Sequence, residues 1–387
     1  QAGGLFNLDK LGLTEMLKKK YPHITLNFIM RDAKTNTEYT DMIASETLPD
    51  IIYESASFTV SRIMKYGFHY DLQELIKKNN FDLKQFEPSV LAQTLSNNSE
   101  NKPYGLPASM NRYGLIYNKD LFDKFGVPYP KDGMTWDDVY ELTKRMTRED
   151  QGTVYMGFAG TPNNIMLNNQ LSLGALDPKE DKASVNTEGW KTLFENVRRF
   201  YMIPNNKLVA TSEATKGNIA MALEAHPSLI NWPKANPSIN LDVVSLPTMK
   251  EKPGVGLKPA TVALFVSQTS KHKDAAFDVV SFLTSQEAQL LLSKQGIGTP
   301  LANDAVKKAF GQGVPEMKGK NTGAFYYYKD APPTPPRSVE LTDISVDYGK
   351  PFADMINNNT DVNTVLRQLE ESLNKSIAAE KQDKTKK

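Results

Sequence analysis

The sequence predicts an α/β protein built as two domains. Its 387 residues are more than one ordinary core accommodates. In the first part, apolar runs of strand length alternate with amphipathic helical stretches, and the C-terminal part is helix-rich. The stretch Lys102 to Thr143 shows the pattern best. Leu115 and Tyr117 fall on one side of a strand, with Gly114 and Ile116 on the other. The strand runs into Asn118, an N-cap residue with Asp120 in the first turn below it. The helix Lys119 to Phe125 ends at Gly126, which tolerates the left-handed conformation. After Pro128 and Pro130, Thr135 opens a second helix through Trp136, Val139, Leu142 and Met146. Thr135 and Asp138 have the spacing of a capping box, with Asp in place of the usual Glu.

Composition excludes several classes of function. Lys plus Arg (46) nearly equals Asp plus Glu (45), a formal charge of +1, so there is no basic footprint for nucleic acid. No continuous apolar run of about 18 residues is present to span a membrane. The absence of cysteine removes disulfides, thiolate chemistry and Cys-ligated zinc. His23, His69, His226 and His272 are scattered, with no HExxH spacing. The chain starts in a polar, glycine-rich QAGGLFNLDK with no signal peptide in view. Gly254-Val255-Gly256 is too short for a phosphate cradle, and DAKTNTE from Asp32 lacks the Gly and distal Glu of an EF-hand loop. The acidic pairs Asp137–Asp138 and Glu370–Glu371 sit on solvated helix faces. No catalytic constellation, cofactor motif or metal site is read.

GLP, then a strand, then YNKDLFDKFGVPYP and TWDDVYELTKRMT, in that order, resemble the family 1 extracellular solute-binding proteins of bacterial ABC sugar importers (maltose-binding-protein-like). Thr14 to Lys20, YP and a strand around Ile24 to Ile29 resemble the family's opening, although residues 1–7 hardly supply the strand that usually comes first. GNIAM resembles its G-x-x-AM signature. LKPATVALFVSQTS with KHKDAAFDVVSFLTSQEAQLLLSKQG resembles its second crossing and the helical pair after it, and GTPLAND the third hinge segment. The resemblance implies a two-lobe periplasmic-binding-protein type II fold, with a ligand cleft between lobes joined by hinge crossings near 111–117, 258–265 and 297–301. The first lobe would hold 1–111 with 264–300, the second 112–263 with 301–387. It also implies a sugar receptor without enzymatic activity, with the membrane permease of an ABC importer as its partner; the long chain and the many candidate aromatics favour an oligosaccharide over a monosaccharide. The protein would be monomeric and held at the outer face of the cell membrane by a lipid on a cysteine preceding Gln1. A binding protein for a non-sugar solute and a carbohydrate-active enzyme are the competing readings.

Candidate ligand contacts follow from strand ends and from the resemblance. The apolar pair Ile51–Ile52 reads as a buried parallel strand with Tyr53, Glu54 and Ser55 at its carboxyl end, where open α/β sheets bind ligands. Glu54 either bonds ligand hydroxyls or is a solvated loop residue. Asn111 and Tyr113 flank the first crossing. Asn163 and Asn164 follow the strand Val154 to Phe158. Their amides suit sugar hydroxyls, or they simply form a turn or helix start. Past GNIAM the resemblance points to His226, Asn231 and Trp232. Trp232 reads as a loop residue, either a stacking platform for a sugar ring or a plug under the loop. Tyr326 and Tyr327 offer ring faces, although adjacent strand residues face opposite ways. PPTPP follows them as a rigid spacer.

Core helices are expected elsewhere. LQELIKKNN ends at Asn79–Asn80, and LSNNSENKPYG is an exposed turn. Trp190, Leu193, Phe194 and Val197 share a helix face, as do Ala276, Val279, Val280 and Leu283. Ser285 caps the next helix and Gly296 stops it. Val362, Val365, Leu366, Leu369 and Leu373 form a final amphipathic helix, with KQDKTKK fraying after it.

Overall fold

A computed structural model describes residues 8–29, 31, 38–96, 102–335 and 344–385. Among these, fourteen α-helices and eight strands follow in order: α1 (Leu13–Lys20), α2 (Tyr39–Ala44), β1 (Ile51–Ser55), α3 (Gln73–Lys78), α4 (Pro88–Ser96), β2 (Gly105–Asn111), β3 (Tyr113–Asn118), α5 (Lys119–Phe125), α6 (Trp136–Met146), β4 (Arg148–Asp150), β5 (Thr153–Gly160), α7 (Pro162–Leu167), α8 (Glu188–Tyr201), β6 (Ile219–Ala225), α9 (Ser228–Ala235), β7 (Leu241–Ser245), β8 (Ala260–Val266), α10 (Lys273–Leu283), α11 (Gln286–Lys294), α12 (Asp304–Lys308), α13 (Gly349–Asn358) and α14 (Val362–Thr385). Two compact units result, Gln1–Met110 with Ala260–Gly313 and Asn111–Pro259 with Val314–Lys387.

In the first unit a three-stranded sheet has the order β1-β8-β2. Alternation along β8 divides the core: Leu264 and Val266 pack with Leu13, Leu106, Phe277 and Val280, while Ala263 and Phe265 pack with Tyr39, Ile52, Ile63 and Phe68. A Cβ on Gly105 would stand 2.8 Å from the Phe265 ring, so glycine is what lets β2 start there. Two strand expectations change. β1 runs antiparallel to β8, with Ile52 opposite Phe265, because the neighbour of this strand is one that returns about two hundred residues later. Residues 24–29 form no strand; Phe28 and Ile29 are exposed, and no strand among the described residues pairs with them. α3, α10 and α11 form as the sequence indicates. Ser285 Oγ accepts from Ala288 N at 3.4 Å, and Gly296 takes a left-handed φ of 78°. α12 packs on α11, where Ser293 Oγ donates to the Val306 carbonyl and Lys307 pairs with Glu87.

The second unit carries a five-stranded sheet of order β4-β5-β6-β3-β7. β3 is antiparallel to both β6 and β7, and β5 is parallel to β6. All six residues of β3 are buried, which its nearly unbroken apolar sequence requires. Leu115 and Tyr117 face the main core with Phe158, Trp190, Phe194, Phe352 and the α14 residues Val362, Val365, Leu366, Leu369 and Leu373. Trp190 is a core residue, stacked on Tyr348 at 4.9 Å. The capping box is complete: Asp138 N donates to Thr135 Oγ1 at 3.2 Å, and Thr135 N donates to Asp138 Oδ2 at 2.8 Å. Asn118 caps α5, and Gly126 ends it at φ 63°.

Three further expectations are corrected in this unit. Trp232 lies on α9 rather than in a loop, Pro233 notwithstanding. Residues 322–326 form a 3-10 turn, so Tyr326 to Tyr328 do not alternate as on a strand. α14 continues to Thr385 instead of fraying from Lys381. The opening residues 1–7, most of DAKTNTE, the centre of LSNNSENKPYG, and residues 386–387 lie outside the described residues.

Candidate functional site

In the first unit the carboxyl end of β1 leads into a 3-10 turn, Ala56–Phe58, and a π-helix, Thr59–Met64. Glu54, expected to face ligand hydroxyls or solvent, is only 4% exposed and has its acceptor capacity committed. Oε2 accepts from Arg62 Nη1 at 2.9 Å and from the Tyr39 hydroxyl at 3.4 Å, with Arg31 Nη1 also at 3.4 Å. Oε1 accepts from Ser55 N at 2.9 Å. A buried carboxylate needs this pairing, so the residue anchors the loop. Burial and the adjacent Glu54 charge raise the Tyr39 phenol above its ordinary value. The Tyr53 hydroxyl bonds Ser109 Oγ at 2.7 Å, and burial pushes its phenol up to about 12. Ser55 Oγ keeps company with Ser57 Oγ at 2.9 Å on the exposed side. Phe58 lies under the Arg62 guanidinium at 3.8 Å, a cation–π contact that fixes both.

In the second unit Arg112 organises the surroundings of β3. Its backbone N–H donates to His226 Nδ1 at 3.2 Å, and its carbonyl accepts from His226 N at 2.9 Å. An accepting Nδ1 leaves the neutral ring's proton on Nε2. His226 is 2% exposed, so its role here is to tie the end of β6 to the start of β3. The Arg112 guanidinium bonds Asp330 twice and lies 4.7 Å from the Tyr326 ring centroid. Beside this pair a void of about 10 Å³ is lined by Arg112, Tyr113, Gly256, Leu257, Phe325 and Asp330. That is room for about one water, and Arg112 Nε is buried without a hydrogen-bond partner.

The remaining candidates divide clearly. Tyr113 is buried, and its hydroxyl accepts from Asn168 Nδ2 at 3.3 Å; burial and then the Glu224 charge raise its phenol. Asn163 and Asn164 lie on α7. Asn163 Oδ1 is taken by Tyr348 N at 2.9 Å, whereas the Asn164 side chain has no partner among the described residues. Asn111, at the end of β2, is half-buried and Asn231 is exposed. Trp232, 6% exposed, turns inward with Leu229 one helical turn before it. Tyr327 is 53% exposed and packs edge-on to Tyr328 at 4.9 Å.

Arg112, Tyr113, Asn164, His226 and Tyr326 are therefore brought together directly or through Asn168. Asn231 and Trp232 stand apart on α9, and Tyr53, Glu54 and Ser55 belong to the other unit. Sequence reading missed Arg112, Asn168, Lys258 and Asp330 as well as Arg31, Phe58 and Arg62. Arg112 sits between two residues that were singled out; the others carried no local signal. Lys258 is half-buried, and burial alone pulls its ammonium down to about 8. Among the described residues no group of three metal-ligating side chains gathers, and no helix is long and apolar enough to cross a membrane.

Residues 8–290 match the family described as "Bacterial extracellular solute-binding protein". The chain belongs to this family. Its fold, two α/β lobes, is shared with solved relatives of low identity. An ABC substrate-binding protein from Listeria monocytogenes, in complex with cycloalternan, is 20% identical with a TM-score of 0.75 over 96% of this chain and 95% of that one. A cyclic alpha-maltosyl-1,6-maltose binding protein from Arthrobacter globiformis is 18% identical with a TM-score of 0.74, covering 96% and 95%. UgpB from Mycobacterium tuberculosis, in complex with glycerophosphocholine, is 13% identical with a TM-score of 0.73, covering 98% and 97%.

Proposed function

We propose that this solute-binding protein captures an oligosaccharide outside the cell and delivers it to the membrane permease of an ABC importer, without chemical turnover. The observation that carries this reading is the group around the start of β3. Half-buried Tyr326 and exposed Tyr327 offer ring faces, and the Asn111 and Asn164 amides are free to bond hydroxyls. Aromatic rings cover the apolar C–H faces of sugars while amides both donate to and accept from their hydroxyls. Family membership, the cycloalternan complex of one structural relative and the cyclic alpha-maltosyl-1,6-maltose binding named for another support it. A ligand that binds the hinge-closed form more tightly would stabilise that form by its differential affinity. In this reading the protein acts as a monomer, tethered at the outer face of the membrane by a lipid.

The test is titration calorimetry with oligosaccharides differing in sugar, linkage and length, with product analysis of the same samples. Saturable binding at micromolar concentration, no cleavage, and at least tenfold weaker binding by Asn164→Ala support the reading. Consumption of the sugar points to a carbohydrate-active enzyme instead. Binding of glycerophosphodiesters with no response to any sugar points to a non-sugar solute.

A further inference from the structure

Two guanidinium groups of the first unit converge on one buried oxygen. Glu54 Oε2 accepts from Arg62 Nη1 at 2.9 Å, and Arg31 Nη1 lies 3.4 Å from the same atom. Both charged heads therefore stand at the carboxyl end of β1, the end at which open α/β sheets bind ligands. Each is also seated over an aromatic ring: the Arg62 guanidinium is 3.8 Å from the Phe58 centroid, and that of Arg31 is 4.8 Å from the Tyr39 centroid. A ring on one side and a carboxylate at the edge hold each guanidinium in place.

Most of their donors are unspent. A guanidinium carries five N–H donors in a planar fork and accepts nothing. Arg62 gives one to Glu54 and makes no other hydrogen bond among the described residues. Arg31 makes none: Glu54 at 3.4 Å and Glu38 at 3.8 Å are ion-pair neighbours without a hydrogen bond. The two side chains are 22% and 30% exposed, and none of their nitrogens is a buried orphan, so the unspent donors meet water. Glu54 itself is satisfied without Arg31, because Arg62, Tyr39 and the Ser55 N–H already donate to it. Glu38 is 41% exposed, so water screens its hold on Arg31. A second arginine, seated on a ring with every donor open, exceeds what burying Glu54 requires and suits an incoming oxyanion.

We propose that Arg31 and Arg62 form an oxyanion-binding site, which takes a carboxylate, sulfate ester or phosphate ester of the solute. The planar fork matches two oxygens of any of these groups, and the rings restrict the fork before the ligand arrives. The inference goes beyond the carbohydrate reading and does not depend on it, because a sugar acid and a solute that is no sugar can both carry the oxyanion. Separate arms of the experiment distinguish those sources.

The experiment follows the arginine Nε–H resonances of the isotope-labelled protein by NMR during titration. The probes are trigalacturonate, glycerol 3-phosphate, inorganic sulfate and neutral galactotriose. Arg31→Gln and Arg62→Lys assign the two signals; the first leaves Glu54 its bond to Arg62, and the second keeps a cation on it. Far-UV circular dichroism and melting temperature verify that each variant is folded. Arg367, 56% exposed and paired with Glu371, is the reference for an ordinary surface arginine. The expected result is a saturable shift of the Arg31 and Arg62 signals by an anion, at a concentration at least about tenfold below that which shifts Arg367. Galactotriose gives no comparable shift, and Arg31→Gln weakens the anion response of Arg62 at least about tenfold. A tighter response to trigalacturonate assigns the oxyanion to a sugar acid, and a tighter response to glycerol 3-phosphate assigns it to a phosphate ester. A response no tighter than that of Arg367, or one that survives Arg31→Gln, overturns the inference and leaves the carbohydrate reading standing.

Discussion

Arg112 and Asp330, 218 positions apart, meet through two parallel hydrogen bonds of 2.5 and 2.8 Å, with side chains only 7% and 6% exposed. The pair ties the start of β3 to the segment after Tyr328. The planar fork of arginine matches both carboxylate oxygens, and the Tyr326 ring covers its face. Removing one member leaves the other charge buried alone. Arg112→Met or Asp330→Ala is therefore expected to cost about 3–5 kcal/mol, and the double variant much less than the sum of the two. Urea denaturation of the four proteins measures this, and additive losses would show that the two charges are not coupled.

The capping box at Thr135 gives a smaller and more local expectation. Thr135 Oγ1 satisfies one orphan amide of α6, and Asp138 returns the bond to the N-cap amide. Thr135→Ala removes the first bond and is expected to cost about 1 kcal/mol. Thr135→Ser keeps the hydroxyl and should restore most of the loss in the same denaturation assay.

These two cases show which parts of the molecule could be read from sequence. Thr135 and Asp138 are three residues apart, as are the bonds of most helix caps, so spacing alone located α5, α6 and α11. The stripes of α8, α10 and α14 were legible for the same reason, because period 3.6 is written within one element. The orientation of β1 was not, since an apolar pair reports burial but not the direction of the strand beside it. Residues 24–29 alternate like a strand but have no partner among the described residues. Pro233 suggested a loop at Trp232, yet it costs α9 only one bond, to the Leu229 carbonyl, and the short helix accepts that. At the candidate site, Glu54 and His226 were legible as polar residues at strand ends. Their commitments to Arg31, Arg62 and Arg112 lie in residues too distant in sequence for any spacing rule.

The crossing of α6 over β5 gives a third expectation. A Cβ on Gly157 would stand 2.3 Å from the Thr143 carbonyl oxygen and 2.8 Å from its Cα, both of them helix backbone. Neither can rotate away, and Thr143 is itself fully buried, so α6 must lift off the sheet to make room. Gly157→Ala is expected to cost about 1–3 kcal/mol, and Gly157→Val more. Thermal denaturation measures it. A neutral Gly157→Ala would mean that the helix and sheet are packed less closely than these distances state.

The last expectation concerns Lys258 and its pH dependence. Its ammonium is drawn from an ordinary 10.5 to about 8 by burial. Between those values the unfolded chain holds the proton and the folded chain releases it. The unfolded state therefore binds more protons there, and this group's contribution to stability rises as pH climbs from about 8 to about 10.5. Below that window the folded protein bears the full cost of an unpaired, half-buried charge. Lys258→Met removes this cost, with an expected gain on the order of 1–2 kcal/mol at pH 7 once the water reaching the side chain is allowed for. The gain should shrink through the window and be gone by about pH 10.5. Measuring the difference between variant and wild type at each pH cancels the other lysines and the tyrosines that titrate there. A loss of stability at pH 7 would instead mean that the lysine's aliphatic stem holds the segment in place and that its charge carries little cost.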